Sequence, residues 1–103
     1  MPRILAVVAA IFWAQGALAA SDEADAGRAL AVRWCASCHV VEANRGGTDA
    51  VAPFQSIADR PQTTEAGLKG FLVRPHGQMP DFQLALPHID AIVAYLMSLR
   101  GRK

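Results

Sequence analysis

Three observations predict that this chain of 103 residues folds as a small all-α domain of three to four helices. Apolar residues near the C-terminus repeat at intervals of three and four, as they do on one face of an α-helix. Two earlier stretches have the same spacing, and each begins at a residue type that caps helices. The segment between these two stretches, residues 40–62, has no sustained period and carries turn-forming residues.

The first helix is predicted to begin after Ser21 or Asp22, either of which can cap it. Acidic residues follow in its first turn, where the helix dipole favours negative charge. The helix continues to Trp34, and Leu30 lies one turn before Trp34 on the same face. Gly27 inside a helix costs about 1 kcal/mol relative to Ala. We therefore expect either a tolerated surface glycine or the close approach of another helix.

The helix leads into Cys35-Ala36-Ser37-Cys38-His39, five contiguous residues with the spacing of a c-type haem attachment site. Each thiol adds across one vinyl group of the porphyrin, so the two sulfurs must reach neighbouring positions on the edge of one flat ring. Cys35 and Cys38 satisfy this because positions i and i+3 share a helix face. His39 follows at once and is predicted to be the proximal iron ligand.

Three other interpretations of the cysteine pair are weaker. The sequence Trp34-Cys35-Ala36-Ser37-Cys38 also resembles thioredoxin-type oxidoreductases, but those need a strand before the motif and a helix after it. A zinc site needs a second Cys or His pair, and the chain contains only two cysteines. A disulfide between Cys35 and Cys38 would close a very small loop and add little stability.

The segment after His39 is predicted to be a loop that packs on a ligand, because a long structureless loop is unusual in a compact domain. Ile57 and Ala58 are expected to form one short helical turn within it. A metal-bound histidine normally donates its second ring N–H to an acceptor, often a backbone carbonyl. We predict that Pro53 supplies this carbonyl.

The next helix is predicted to be capped by Thr63 or Thr64 and to end at Pro75. Its apolar face consists of Leu68, Phe71 and Leu72.

The loop His76-Gly77-Gln78-Met79-Pro80 is predicted to supply the sixth ligand of the iron. Met79 is our candidate, because Pro80 restricts it to extended geometry and stiffens the loop. Thioether coordination raises the reduction potential relative to a second histidine and blocks small ligands. The alternatives are His76, three residues earlier, and Met97, which lies in an apolar helical stripe and is expected to be core.

The last helix is predicted to begin after Pro87. His88, near its start, is expected to be solvated, and Gly101 is expected to cap its C-terminal end. We interpret the basic end, Arg100, Arg102 and Lys103, as solvated charge and not as a docking patch. The apolar face consists of Ile89, Ile92, Val93, Leu96 and Leu99.

Residues 1–20 are predicted to be a cleaved secretory signal peptide. A positive start, Met1-Pro2-Arg3, precedes an uncharged apolar run, and Ala17-Leu18-Ala19 is a cleavage signature. The alternative is a membrane anchor, because the uncharged stretch is 18 residues long. Cleavage leaves one domain, residues 21–103, with 9 basic and 9 acidic residues. Such a balanced chain has no basic surface for nucleic acid.

The mature chain resembles class I c-type cytochromes over nearly its whole length. The residues that carry the resemblance are Cys35, Cys38, His39, Pro53, the Met79-Pro80 pair and the closing stretch 89–99. The resemblance implies a cytochrome c fold, with the helices wrapped around one covalently attached haem c and its iron. It also implies that the first and last helices cross at Gly27 and Tyr95. The short interval from His39 to Met79 is similar to that of compact bacterial members.

Two positions depart from the family pattern, since Ala31 and Ala52 stand where an aromatic residue and a glycine are often found. Neither departure touches the predicted iron ligands. Arginines near the loop, such as Arg45 and Arg60, are candidates to pair with the haem propionates.

The resemblance implies a periplasmic one-electron carrier and not an enzyme. The expected donor is a dehydrogenase or quinol-oxidising complex, and the expected acceptor is an oxidase or reductase, with membranes reached only through these partners. Docking is expected over an exposed haem edge through a small interface. The alternatives are a permanent haem subunit of a periplasmic oxidoreductase and, if the sixth site opens, a haem enzyme or gas sensor.

Overall fold

A computed structural model of the protein describes residues 22–102 apart from positions 44, 49, 75, 76 and 78. The predicted signal peptide at residues 1–20, His76 and Pro75 lie outside the described residues. The described part is helical, with α1 at residues 22–34, α2 at Phe54–Asp59, α3 at Glu65–Val73 and α4 at Leu86–Ser98. It contains no β-strand, only an isolated bridge between Glu42 and Arg45. None of its helices has the length and apolar character needed to cross a membrane.

The all-α fold class predicted from the sequence is confirmed, and the crossing of α1 and α4 is its centre. Gly27 is buried there, and a Cβ atom added to it would lie 1.8 Å from the carbonyl oxygen of Ala91. The close approach expected at Gly27 is therefore real, and it is made to the backbone of Ala91, one turn before Tyr95. The surrounding core cluster consists of Ala31, Cys35, Val41, Phe54, Ala58, Ile92, Tyr95, Leu96 and Leu99.

Tyr95 ties the last helix to the loop that follows the cysteine motif. Its side chain is buried, and its hydroxyl donates to the carbonyl of Val41 at 2.6 Å. Glu42, the next residue, accepts two hydrogen bonds from Arg28 of α1, at 2.7 and 3.0 Å. Arg45 pairs with the same carboxylate at 2.9 Å. Helices α1 and α4 thus both hold the segment that follows His39, at Glu42 and Val41 respectively.

Helix α3 differs from the others because none of its nine residues, all of which the structure describes, is fully buried. Thr64 caps it, as one of the two predicted caps, and accepts from the amide of Gly67 at 3.0 Å. Lys69 bridges Glu65 in the same helix and Asp90 of α4. Leu68 and Leu72 are half-buried against the core. The apolar face of α3 therefore borders open space, which belongs to the site described below.

Four predictions concerned α4 and the residues around it. Helix α4 begins at Leu86 and includes Pro87 as its second residue, whereas the sequence predicted a start after Pro87. Gly101 has a φ of +75°, the left-handed conformation that favours glycine after a helix. Arg100 is exposed, as expected of a solvated charge, but its guanidinium also donates to the carbonyl groups of Ala58, Arg60 and Thr63, which the sequence did not indicate. His88 is exposed as predicted and lies beside the ring of Trp34, with 5.5 Å between the ring centroids.

Candidate haem site

The cysteine motif continues the end of α1 as one further turn. The amides of Cys35 and Ala36 both donate to the carbonyl of Ala31, and the amides of Cys38 and His39 both donate to the carbonyl of Cys35. The first pair combines an i→i−4 bond with an i→i−5 bond, so the helix widens where the motif begins. The hydrogen bond from the amide of Cys38 to the carbonyl of Cys35 keeps the two cysteines within one helical turn, as the spacing predicted.

The two thiols have different surroundings. Cys35 is buried and Cys38 is exposed, and neither forms a disulfide. Burial, with a smaller contribution from Cys38, raises the pKa of the Cys35 thiol to about 11. Reactive cysteines of thiol oxidoreductases have a lowered pKa and lie at the start of a helix. The cysteine pair here lies at the end of a helix, and the pKa of Cys35 is raised instead of lowered, which argues against the thiol-redox alternative.

A loop rich in glycine covers the backbone of the motif. The amide of Gly47 donates to the carbonyl of Ala36 at 2.7 Å, and the amide of Thr48 donates to that of Cys38 at 3.0 Å. Gly46 and Gly47 both have positive φ, and a Cβ on Gly47 would lie 2.5 Å from the amide nitrogen of Val40. Only glycine fits both the conformation and this close contact. This part of the loop, which was predicted to pack on a ligand, therefore packs on the cysteine motif.

His39 is oriented by a backbone carbonyl, but not by the predicted one. Its Nδ1 lies 2.7 Å from the carbonyl oxygen of Ala52. A carbonyl oxygen only accepts, so Nδ1 carries the hydrogen and donates, which leaves the lone pair of Nε2 free for a metal. The carbonyl of Pro53 instead accepts from the amide of Ile57 inside α2. The prediction that Pro53 supplies the carbonyl is wrong by one residue, because Pro53 is the N-cap of α2 and its carbonyl is used by that helix.

Pro53 still contributes to this contact indirectly. A proline disfavours the α conformation of the residue before it. Pro53 therefore favours an extended Ala52, and it is the carbonyl of Ala52 that reaches His39. The ring of Phe54 packs beside His39, with 5.4 Å between the ring centroids, so the imidazole is restrained both by a hydrogen bond and by an aromatic neighbour.

A cleft opens beside His39 between the cysteine motif, α2, α3 and α4. Its volume is about 270 Å³, close to the lower end of the ~300–1,000 Å³ range of small-molecule and cofactor sites, and it is open to solvent. Cys35, His39 and Met79 all line it. The apolar part of its wall consists of Phe54, Ile57, Leu68, Phe71, Leu72, Ile92 and Leu96.

Other candidate residues lie elsewhere. Met97 is half-buried on α4 and is not one of the described residues that line the cleft. Of the two arginines proposed for the propionates, Arg60 lines the cleft, whereas Arg45 is paired with Glu42. Beside Arg60, the polar rim of the cleft is formed by Gln62, Thr63 and Thr64, and sequence reasoning had not placed these three residues in the site.

The residues present fit a haem. The cleft walls are mostly apolar, as the porphyrin faces require, and Cys35 lines the cleft while Cys38 follows it by three residues in the same turn, with both thiols free. One imidazole nitrogen is available for iron, and a thioether sulfur belongs to a residue of the same cleft. The polar rim suits the carboxylates of a haem.

The chain is 43% identical over 98 residues to cytochrome c-552 of Bradyrhizobium diazoefficiens, and the alignment covers 94% of this chain and 92% of that protein. No protein-family model matches the chain, and no solved structure matches it.

Proposed function

Because this chain belongs to the class I c-type cytochromes and is an electron carrier with a covalently bound haem c, we propose that it works as a periplasmic shuttle whose iron is held by His39 and Met79. The observation that carries the proposal is the convergence of Cys35, His39 and Met79 on one apolar cleft. When bound, the haem supplies the exchange of single electrons between ferrous and ferric iron.

The protein side of this function begins with the tether. Cys35 and Cys38 would hold the porphyrin through two thioether bonds, one from a buried residue and one from an exposed residue. A domain of this size has a marginal core of its own, so a covalent apolar group that fills the cleft is also a structural element.

His39 would bind iron through Nε2. The hydrogen bond from Nδ1 to the carbonyl of Ala52 fixes the tautomer and the ring orientation and increases the basicity of the ligand. Pro53 supports this hydrogen bond through its effect on the conformation of Ala52.

Met79 would complete the iron coordination from the other loop of the site. Its thioether raises the potential relative to a second histidine and leaves no open position for oxygen or carbon monoxide. Residue Pro80 restricts the backbone of Met79, which favours one position of the sulfur. Phe54, Leu68 and Ile92, which line the cleft, would cover the bound porphyrin with apolar side chains and keep water from it.

Export is inferred from the N-terminal sequence, and the partners are inferred from the family. Residues 1–20 would direct secretion and be removed, which leaves the domain 21–103 in the periplasm. The donor would be a dehydrogenase or a quinol-oxidising complex and the acceptor an oxidase or reductase, each docking transiently.

The decisive experiment is an optical study of protein made in a host that attaches c-type haem. We expect haem that survives acid–acetone extraction and a weak near-infrared band of thioether-ligated ferric iron. Met79→Ala should abolish this band, whereas the matched control Met97→Ala, a methionine of the same chain outside the cleft wall, should retain it. Loss of the band only in Met97→Ala would refute the proposed ligand.

The same preparation separates the shuttle from its alternatives. Stable co-purification with a catalytic chain from the native host would identify a permanent subunit. Rapid binding of carbon monoxide by the ferrous protein, with Met79 intact, would identify an enzyme or gas sensor.

A further inference from the structure

Arg100, the second residue after α4, lies against the backbone of a different helix. Its Nε donates to the carbonyl of Ala58 at 3.0 Å, and its Nη2 donates to those of Arg60 at 2.8 Å and Thr63 at 2.9 Å. These partners lie 37 to 42 residues earlier in the chain. The guanidinium thus joins the end of α4 to the turn between α2 and α3.

The turn needs such a partner because α2 is short. The last four carbonyl groups of a helix accept no hydrogen bond from within that helix. Because α2 has only six residues, this applies to most of its carbonyl groups. Thr63 donates from its hydroxyl to the carbonyl of Ile57 at 2.6 Å, and Arg100 satisfies the carbonyl of Ala58. A cation at this position also interacts favourably with the negative end of the helix dipole.

The shape of the arginine side chain matters here as well as its charge. A guanidinium presents several N–H groups in a rigid plane, so it can contact separate carbonyls at once, whereas a lysine ammonium is a compact point charge. Two further contacts hold the same junction: Gln55 donates to the carbonyl of Leu99 at 2.7 Å, and the amide of Gly101 donates to Asp59 at 2.8 Å. Neither of these contacts reaches residues 60–64.

The segment that Arg100 holds is the polar rim of the cleft. Arg60, Gln62, Thr63 and Thr64 all line the cleft, and Thr64 is also the N-cap of α3. Arg100 bonds to the carbonyls of two of these four residues. Its own side chain is not part of the described cleft wall.

We propose that Arg100 is a positioning residue for the haem, which acts by fixing the rim segment 60–64 and thereby the place of Arg60 at the cleft edge. The inference rests on the proposed function. A cation held near the haem carboxylates favours the ferrous state, which carries one positive charge fewer than the ferric state. A rim segment that is held in place beside the haem would also limit the water that stabilises the ferric charge. Both effects raise the reduction potential, so loosening the rim lowers it.

The test compares the haem-loaded variants Arg100→Lys, Arg100→Gln and Arg102→Gln by potentiometric titration against the wild-type protein. Arg102→Gln is the matched control, because it removes one positive charge two residues away and Arg102 makes none of these carbonyl contacts. We expect Arg100→Lys and Arg100→Gln to shift the electron-exchange equilibrium with a fixed mediator by about threefold to tenfold towards the ferric protein; tenfold corresponds to about 59 mV. Arg102→Gln should change it much less.

A potential in Arg100→Lys equal to that of the wild type would overturn the proposal, because it would show that charge alone matters. Equal shifts in Arg100→Gln and Arg102→Gln would overturn it for the same reason. If Arg100→Gln does not retain haem, the comparison of Arg100→Lys with Arg102→Gln decides the matter alone.

A double-mutant cycle with Arg60→Gln gives a second, independent decision. If Arg100 acts through Arg60, the effect of Arg100→Lys on the potential should shrink when Arg60 is already replaced, whereas strictly additive effects would contradict the mechanism. The failure of the proposed function is distinguishable from this outcome, since it would appear in the wild type as absent haem or an absent thioether band.

Discussion

Replacement of Gly27 by alanine tests the crossing of α1 and α4 most directly. The added Cβ would lie 1.8 Å from the carbonyl oxygen of Ala91 and 2.4 Å from its carbonyl carbon. Ordinary contact begins at 3.4 Å, so the two helices must separate by about 1.6 Å at this point. Both opposing atoms are backbone of α4, and no rotation of a side chain can relieve the overlap.

The expected cost follows from two opposing terms. Overpacking of a close contact costs roughly 1–3 kcal/mol, and the rigid backbone partner places this case at the upper end of that range. Alanine in place of glycine inside a helix stabilises the helix by about 1 kcal/mol. The net loss is about 2 kcal/mol of unfolding free energy, which corresponds to a melting temperature lower by roughly 8–16 °C for a domain of this size.

Thermal unfolding of the haem-loaded variant, followed by far-ultraviolet circular dichroism, measures this loss. Gly70→Ala in α3 is the matched control, because nothing lies within 4 Å of its Cβ position. That variant should be more stable than the wild type by about 0.5–1 kcal/mol. If Gly27→Ala is as stable as Gly70→Ala, the argument for a backbone-to-backbone crossing is wrong.

Two further predictions concern hydrogen bonds of the scaffold. Tyr95→Phe removes the donor to the buried carbonyl of Val41 and should lower the unfolding free energy by about 1–3 kcal/mol in urea titrations, with the haem spectrum retained; unchanged stability would show that this bond is not needed. The amide of Gly101 and then the side chain of Gln55 hold the pKa of Asp59 below its ordinary value of 3.8. Because the folded pKa is the lower one, this stabilisation is present above pH 3.8 and is lost as the pH falls through the folded pKa. Asp59→Asn should therefore show a shallower loss of stability in acid than the wild type, and an identical acid profile would contradict the assignment.

The sequence was sufficient for features that depend on local chemistry. The spacing of Leu68, Phe71 and Leu72 predicted α3, and the cap at Thr64 is confirmed because a cap depends only on residues within one turn. The apolar face of α4 was equally visible. The role of Gly27 was open between two interpretations, and only the position of Ala91 decided between them.

Features that depend on distant partners could not be predicted in the same way. Arg100 was assigned to its own helix end, since nothing within a few residues of it indicates that α2 lies alongside. The choice between Ala52 and Pro53 depends on the direction of one carbonyl, which is set by where α2 begins. The polar rim at Gln62 and Thr63 comes from the turn between two helices, and the only sequence signal was the position of Arg60 and the threonine pair near the predicted cap.

The absence of any fully buried residue in α3 has a consequence for how the molecule responds to losing its cofactor. Helices α1 and α4 hold each other through direct protein contact at Gly27, whereas α3 contacts α4 but also turns Leu68, Phe71 and Leu72 towards the cleft that the porphyrin would fill. Detachment should therefore release α3 before the helix crossing opens. The pair α1 and α4 would therefore keep its structure without the pigment, whereas α3 would depend on the pigment for its place in the fold.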